Sequence, residues 1–177
     1  MSEAETEPSI SEALKPYAAT IQASIDSESV DLFRNESAEH AAVILRLFLQ
    51  NAKCSLRIFC QKMSRCVYGD LSYFIKQAIE RGVDVRVITQ NSQVDSKEAA
   101  MVLNQHQSWR VNASTDDLPH FALADGMMFR LETDREKKKA VVCTHVAPDD
   151  RETQELVDDM NAVFSQMWEE SQEPALI

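Results

Sequence analysis

The chain has 177 residues, 44% hydrophobic and 27% charged, and its 29 Asp and Glu against 18 Lys and Arg give a formal net charge of −11. That length and composition suit one compact globular domain with a full core and exclude disorder throughout. The longest wholly apolar runs are a few residues, for example Ala41 to Leu45 before Arg46, far short of the ~20 residues that cross a bilayer, and the acidic balance disfavours a generic phosphate-coating, nucleic-acid-binding protein.

In chain order, residues 1–12 are rich in Ser and Glu and almost free of large apolar groups, so they read as a flexible acidic tail before a single domain at 13–177. The start lacks the basic-then-apolar layout of a secretory signal, and with four scattered cysteines, Cys54, Cys60, Cys66 and Cys143, the expectation is a cytoplasmic protein with reduced thiols. From Glu36 a helix is predicted, with Ser37 as its N-cap and Val43, Ile44, Leu47 and Phe48 recurring on its buried side. Cys54 to Cys60 alternates apolar and polar residues as a strand does. Tyr68 to Arg81 reads as a second helix, with Asp70 as its acidic start signal and Gly82 as its stop. The β-branched run Val83 to Thr89 follows at once, and a helix ending in Gly before a strand is an α/β pattern. A shorter helix is predicted over 97–106 and a short strand over 109–112. Two strands, 121–125 and 127–132, meet at a turn at Gly126, and another is predicted over 140–145. A long helix from about Asp149 to Ser171 closes the chain, acidic at its start, with Leu156, Met160, Val163, Phe164, Met167 and Trp168 along one side. The fold class is α/β, one mixed β-sheet flanked by helices.

The charge is uneven. Residues 1–50 hold 3 basic and 9 acidic residues, 51–100 hold 8 and 5, and 101–177 hold 7 and 15. Any anion site is therefore to be sought in or near the middle third, although solvated surface charge also accounts for those cations. No Cys-x-x-Cys occurs, and His40, His106 and His145 lack partners at ligand spacing, so buried thiols are favoured over zinc and no metal or cofactor is expected. Lys137 to Lys139 reads as a solvated turn.

The passage Ala78-Ile79-Glu80-Arg81-Gly82-Val83-Asp84-Val85-Arg86-Val87-Ile88 resembles the helix-Arg-Gly-Val-x-Val-Arg-Val-strand passage of the phospholipase D superfamily. Asp125-Gly126 at a strand-to-strand turn and Phe164-Ser165-Gln166-Met167-Trp168 near the end are similar to two later features of that family, and the order of elements from about Asp31 to Ser171 matches. The resemblance implies a phospholipase D-like single domain acting on phosphodiesters. One histidine would be the nucleophile on phosphorus and another the general acid, with lysines neutralising the phosphoryl oxygens and two copies paired as a homodimer. Yet the family's His-x-Lys-x4-Asp motif is degenerate. Aligning Asp125 with its aspartate puts Leu118 at the nucleophile and His120 at the lysine; aligning His120 with the nucleophile puts Ala122 at the lysine and Met127 at the aspartate.

The candidate, or vestigial, catalytic set is His120, Asp125, Arg130 and Glu132. Arg130 and Glu132 are two apart on a strand and share a face, with His120 across the hairpin. Two readings stand. In one, His120 is the nucleophile or acid, Arg130 the phosphate clamp and Glu132 the group that orients the imidazole. In the other, the trio is a structural network left after catalysis was lost, favoured because an acid beside an anionic substrate is unhelpful. The expected function is a non-catalytic binding or regulatory module, homodimeric, engaging a protein or phosphate-containing partner. A divergent phosphodiesterase or nuclease using His120 and an assembly subunit of a larger complex are the alternatives.

Overall fold

Ser37 has extended backbone (φ −151°, ψ 168°), and its Oγ accepts from the amide of His40 at 3.1 Å, so the helix α2 (Ala38–Asn51) starts with one of its orphan N–H groups satisfied. The closing helix α6 (Arg151–Glu170) uses the same device, with the Asp150 carboxylate accepting from the amide of Thr153 at 3.1 Å. The computed structural model describes residues 6–115, 117–134, 136–137 and 139–174. The first five residues of the expected acidic tail and Lys138 of the lysine turn lie outside the described residues. From Glu7 the chain runs against α2: the Arg46 guanidinium donates to the carbonyl of Pro8 at 2.6 Å and to Oε1 of Glu7 at 2.7 Å.

The remaining elements are α1 (Lys15–Asp26), β1 (Leu32–Asn35), β2 (Ser55–Cys60), α3 (Arg65–Tyr68), α4 (Leu71–Glu80), β3 (Asp84–Thr89), α5 (Lys97–Gln105), β4 (Trp109–Val111), β5 (Phe121–Ala124), β6 (Met128–Asp134) and β7 (Lys139–Cys143). They form one seven-stranded sheet in the order β1-β7-β6-β5-β2-β3-β4. The β2–β3 and β3–β4 pairs are parallel and the rest antiparallel, so the sheet is mixed, as expected.

Two differences from the sequence reading matter. The helix predicted from Tyr68 is broken at Gly69-Asp70 into α3 and α4. Asp70 is helical in backbone and its side chain makes no capping bond, so it does not act as the start signal. A Cβ on Gly69 would lie 2.7 Å from the carbonyl oxygen of Arg65, a close pass that only glycine permits. The helix α1 and the edge strand β1 were also not anticipated, and β1 matters most here because it brings Asn35 to the site described below.

Strand alternation divides the core. Leu56, Ile58, Val85, Val87, Ala122, Ala124, Met128 and Val142 face α2, α4 and α5, with Phe48, Leu71, Phe74 and Leu103 packed among them. Phe59, Ile88, Phe121, Leu123, Phe129 and Cys143 face the other way, toward Val157, Met160, Phe164, Met167 and Trp168 of α6. Among the described residues, no helix is long and apolar enough to cross a membrane.

Candidate functional site

In open α/β sheets ligands gather outside the carboxyl ends of the parallel strands, where the chain direction switches. Here β2 has parallel β3 on one side and antiparallel β5 on the other, and at that end a cleft of about 110 Å³ opens under α2 and α3. His120 enters β5 and Arg130 and Glu132 sit on β6. The register sets Ala122 against Arg130, and the amide of Glu132 donates to the carbonyl of His120 at 2.9 Å. Because these side chains share parity with Ala122 and Met128, all three point to the α2 side of the sheet and line the cleft.

The three side chains meet. Nδ1 of His120 lies 2.7 Å from Oε2 of Glu132. Oε1 of Glu132 receives Nη2 of Arg130 at 3.5 Å, and Nε of Arg130 donates to Oδ1 of Asn35 at 2.6 Å. Asn35 is fully buried, and its amide nitrogen donates to the carbonyl of Ser37 at 2.7 Å. On the other side, Nε2 of His120 faces Oε1 of Gln90 at 3.3 Å, while the Gln90 nitrogen donates to the carbonyl of Thr115 at 2.7 Å. A carbonyl only accepts, so Thr115 fixes the Gln90 amide with its oxygen toward His120. Both ring nitrogens of His120 therefore face acceptors, and the ring edge is packed by Phe59 at 5.6 Å. Among the described residues nothing pairs with Nη1 of Arg130, which leaves that donor for the cleft.

Burial acts on each ionisable group. It pushes the Glu132 carboxyl up, but the hydrogen bond and charge of His120, with the charge of Arg130, outweigh it and leave that carboxyl below its usual value. Burial pulls the Arg130 guanidinium down and Glu132 opposes the fall. The Tyr17 phenol is raised to about 12 by burial, against the opposing charge of Arg130. Tyr68, wholly buried beside Cys60 (Sγ to Oη 3.1 Å), is pushed well above the usual phenol range by burial first and the thiol second. The cleft thus sets the neutral phenol of Tyr68 beside one buried cation–anion pair.

Asp125 stands apart from the other three predicted residues. It lies beyond the far end of β5, about 15 Å along the strand from His120, where its carboxylate accepts from the amides of Lys53 at 2.7 Å and of Cys54 and Ser55 at 2.8 Å. Its role there is to seat β2 against β5. Lys62 lines the cleft, but its ammonium is 2.9 Å from Asp95. Sequence reasoning missed Asn35 and Gln90. Gln90 follows the last residue of a parallel strand, a position that signals a ligand site; Asn35 had no such signal, because it arrives through the pairing of β1 with β7, remote in sequence. The buried Cys143 and the exposed Cys54 and Cys66 lie outside the cleft lining, and Cys60 borders it. Among the described residues no group of three or more His, Cys, Asp or Glu is placed to hold a metal ion.

A mixed sheet with a histidine at the strand-end cleft and a closing helix across one face defines the class: the chain has the phospholipase D-like fold. No protein-family model matches it, and no curated protein does. Among solved structures it is similar to Nuc from Salmonella typhimurium, a phospholipase D family member (TM-score 0.57, 14% identity, 81% of this chain and 96% of that one). It is likewise similar to NucT from Helicobacter pylori (0.54, 16%, 80% and 96%). TrmBL2, an archaeal chromatin protein whose structure shows a novel mode of DNA binding, overlaps 93% of this chain (0.59, 13%), which spans 62% of that longer protein. At these identities the likeness is one of fold.

Proposed function

We propose that this chain is a non-catalytic phospholipase D-like binding module, a cytoplasmic homodimer whose cleft holds a phosphoryl group of its partner against Arg130. The observation that carries the reading is the environment of His120. A nucleophile on phosphorus needs a nitrogen lone pair aimed into the cleft, and both ring nitrogens are instead turned to acceptors, Glu132 and Gln90. The lysine that lines the cleft is spent on Asp95, and the motif aspartate, Asp125, is spent on backbone amides. What remains is the unpaired Nη1 of a buried guanidinium, a group suited to an oxyanion. A fold does not oblige an activity, and a chromatin protein shares this one.

Two further features support association and location. Leu32, 64% exposed on the edge strand, pairs with Cys143 and so points to the α6 side of the sheet. Val30 beside it is 56% exposed, an apolar margin suited to a second copy. Among the described residues no cysteine is joined in a disulfide, in keeping with a reducing compartment.

The test is a metal-free assay on a chromogenic phosphodiester and on single-stranded DNA, beside a thermal-shift titration with inorganic phosphate. The expected result is no turnover above buffer in the wild-type chain or in His120→Ala, with a phosphate-dependent rise in Tm that Arg130→Met loses. Turnover abolished by His120→Ala would return the chain to the divergent phosphodiesterases.

A further inference from the structure

One helix does not cover seven strands. A helix is about 10–12 Å across and strands lie about 4.8 Å apart, and α6 packs over β5 and β2, whereas α2, α4 and α5 share the other side of the sheet. Trp168 turns toward Arg86 of β3 and Arg110 of β4, whose guanidinium carbons lie 5.1 and 4.5 Å from the centre of its ring. At about 100° per residue, Leu156 and Val163 stand about 120–140° round the helix from Trp168. They are therefore on the flank turned toward β6, β7 and β1, and both are exposed. The strip of sheet beside that flank is open: Leu32 of β1 is exposed, and Val141 of β7 and Leu131 of β6 are only half-buried. The charges sort by element. On the strip the exposed ions are Arg34 and Lys139, while Asp134, across from Lys139, is engaged by the amide and ammonium of Lys137 at 3.0 and 4.0 Å. On the helix flank, Glu152 and Asp159 recur with Leu156 and Val163 at steps of four and three. Arg151, the only base of α6, lies about 140° round from Leu156. Among the described residues, the side chains of Arg34, Lys139, Glu152 and Asp159 have no partner.

We propose that two copies join face to face on this side, the α6 flank of each seated on the β1–β7 strip of the other, so that the two Arg130 clefts open on opposite outer faces and each holds a phosphoryl group alone. A basic apolar strip beside an acidic apolar flank is its own complement under a two-fold rotation, which is what an isologous interface requires. A wholly basic partner would meet Arg34 and Lys139 with like charge, and a wholly acidic one would meet Glu152 and Asp159. Pairing of β1 with β1 at the sheet edge would leave Leu156 and Val163 open to water. Because His120, Arg130 and Glu132 point to the α2 side, two sheets and the helices between them separate the paired clefts, and the two histidines cannot act on one phosphorus. This arrangement rests on the homodimer and the cleft proposed above and adds the interface and the direction in which the clefts face.

The experiment is light scattering of the full chain at 0.15 M salt, with two charge-reversed variants, Arg34→Glu with Lys139→Glu and Glu152→Lys with Asp159→Lys, alone and mixed. All four positions are exposed. The wild type is expected at the mass of two chains and each variant alone at one, because strip and flank then carry the same sign. An equimolar mixture is expected to return to two chains, since each variant supplies the complement of the other. A chain with all four changes, which keeps the net charge of −11, is also expected to pair. In thermal shift with inorganic phosphate, the single-chain variants are expected to keep the rise in Tm shown by the wild type. Variants that stay paired beside a paired wild type would overturn this interface and leave the homodimer standing. A mixture that stays at one chain would also overturn it. A rise in Tm lost with pairing would show that the clefts share one ligand and overturn their independence, and a wild type of one chain would remove the homodimer and this interface together.

Discussion

Arg130 and Glu132 are buried charges whose value lies in being kept together: their side chains are 9% and 7% exposed. Removing one partner of such a pair strands the other, whereas replacing both by apolar groups is often neutral. Arg130→Met should therefore cost about 3–5 kcal/mol of unfolding free energy, and the double change Arg130→Met with Glu132→Met should cost clearly less than Arg130→Met alone, as read from urea denaturation midpoints. A double change costing as much as the sum of the singles would show that the two side chains act independently. Acid should reach the same site. The Glu132 carboxyl is held below its ordinary value of 4.5, so as pH falls past that value the folded state carries fewer protons than the unfolded one. The stability this group contributes is full above about pH 4.5 and is lost as pH falls through the lowered value. Glu132→Gln should flatten that part of the stability–pH curve, and an unchanged acid slope would show that Glu132 does not govern it.

At the scale of elements, Asp125 is the residue whose meaning the structure changes most. As part of a motif it belonged with His120; in the fold it adopts a left-handed backbone (φ 55°) at the β5–β6 turn and receives three amides from the start of β2. Asp125→Ala should cost about 2–4 kcal/mol, and Asp125→Asn, which keeps the Oδ1 acceptor for Cys54 and Ser55, should cost roughly half as much, both read by thermal unfolding. Equal costs would show that the charge of the carboxylate, rather than its geometry, seats the strand. The contrast explains what was legible beforehand. Local chemistry could be read directly, as with the Ser37 cap, the Gly82 stop and the alternation that sets Arg130 and Glu132 on one face. The contact of His120 with Glu132 followed from a hairpin, which is also local. Asn35 and Gln90 come from strands whose pairing is set by the whole sheet order, and β1, with four residues, carries too short a pattern to announce itself. Asp125 was misread because a strand-end aspartate looks the same in sequence whether it faces a substrate or three backbone amides.

For the whole molecule, the net charge of −11 sets a term that any association has to overcome, and its sign separates the proposed homodimer from a nucleic-acid complex. Two copies of a polyanion repel one another over a Debye length of about 30 Å at 0.01 M salt and about 8 Å at 0.15 M. Added salt should therefore tighten the homodimer, whereas binding to a nucleic acid through basic groups loosens as salt rises. Light scattering across that salt range should show the mass moving toward two chains as ionic strength increases. The apolar edge at Leu32 supplies a second arm with the opposite electrostatic expectation. Leu32→Lys lowers the net negative charge of each copy and so weakens the mutual repulsion, yet it places an ammonium where the proposed contact buries a leucine. If burial of that edge drives association, the variant stays monomeric even in high salt. If long-range charge alone governs it, the variant dimerises more readily than the wild-type chain, and the proposed contact at β1 is wrong. A mass of one chain for the wild type at every salt concentration would remove the homodimer itself.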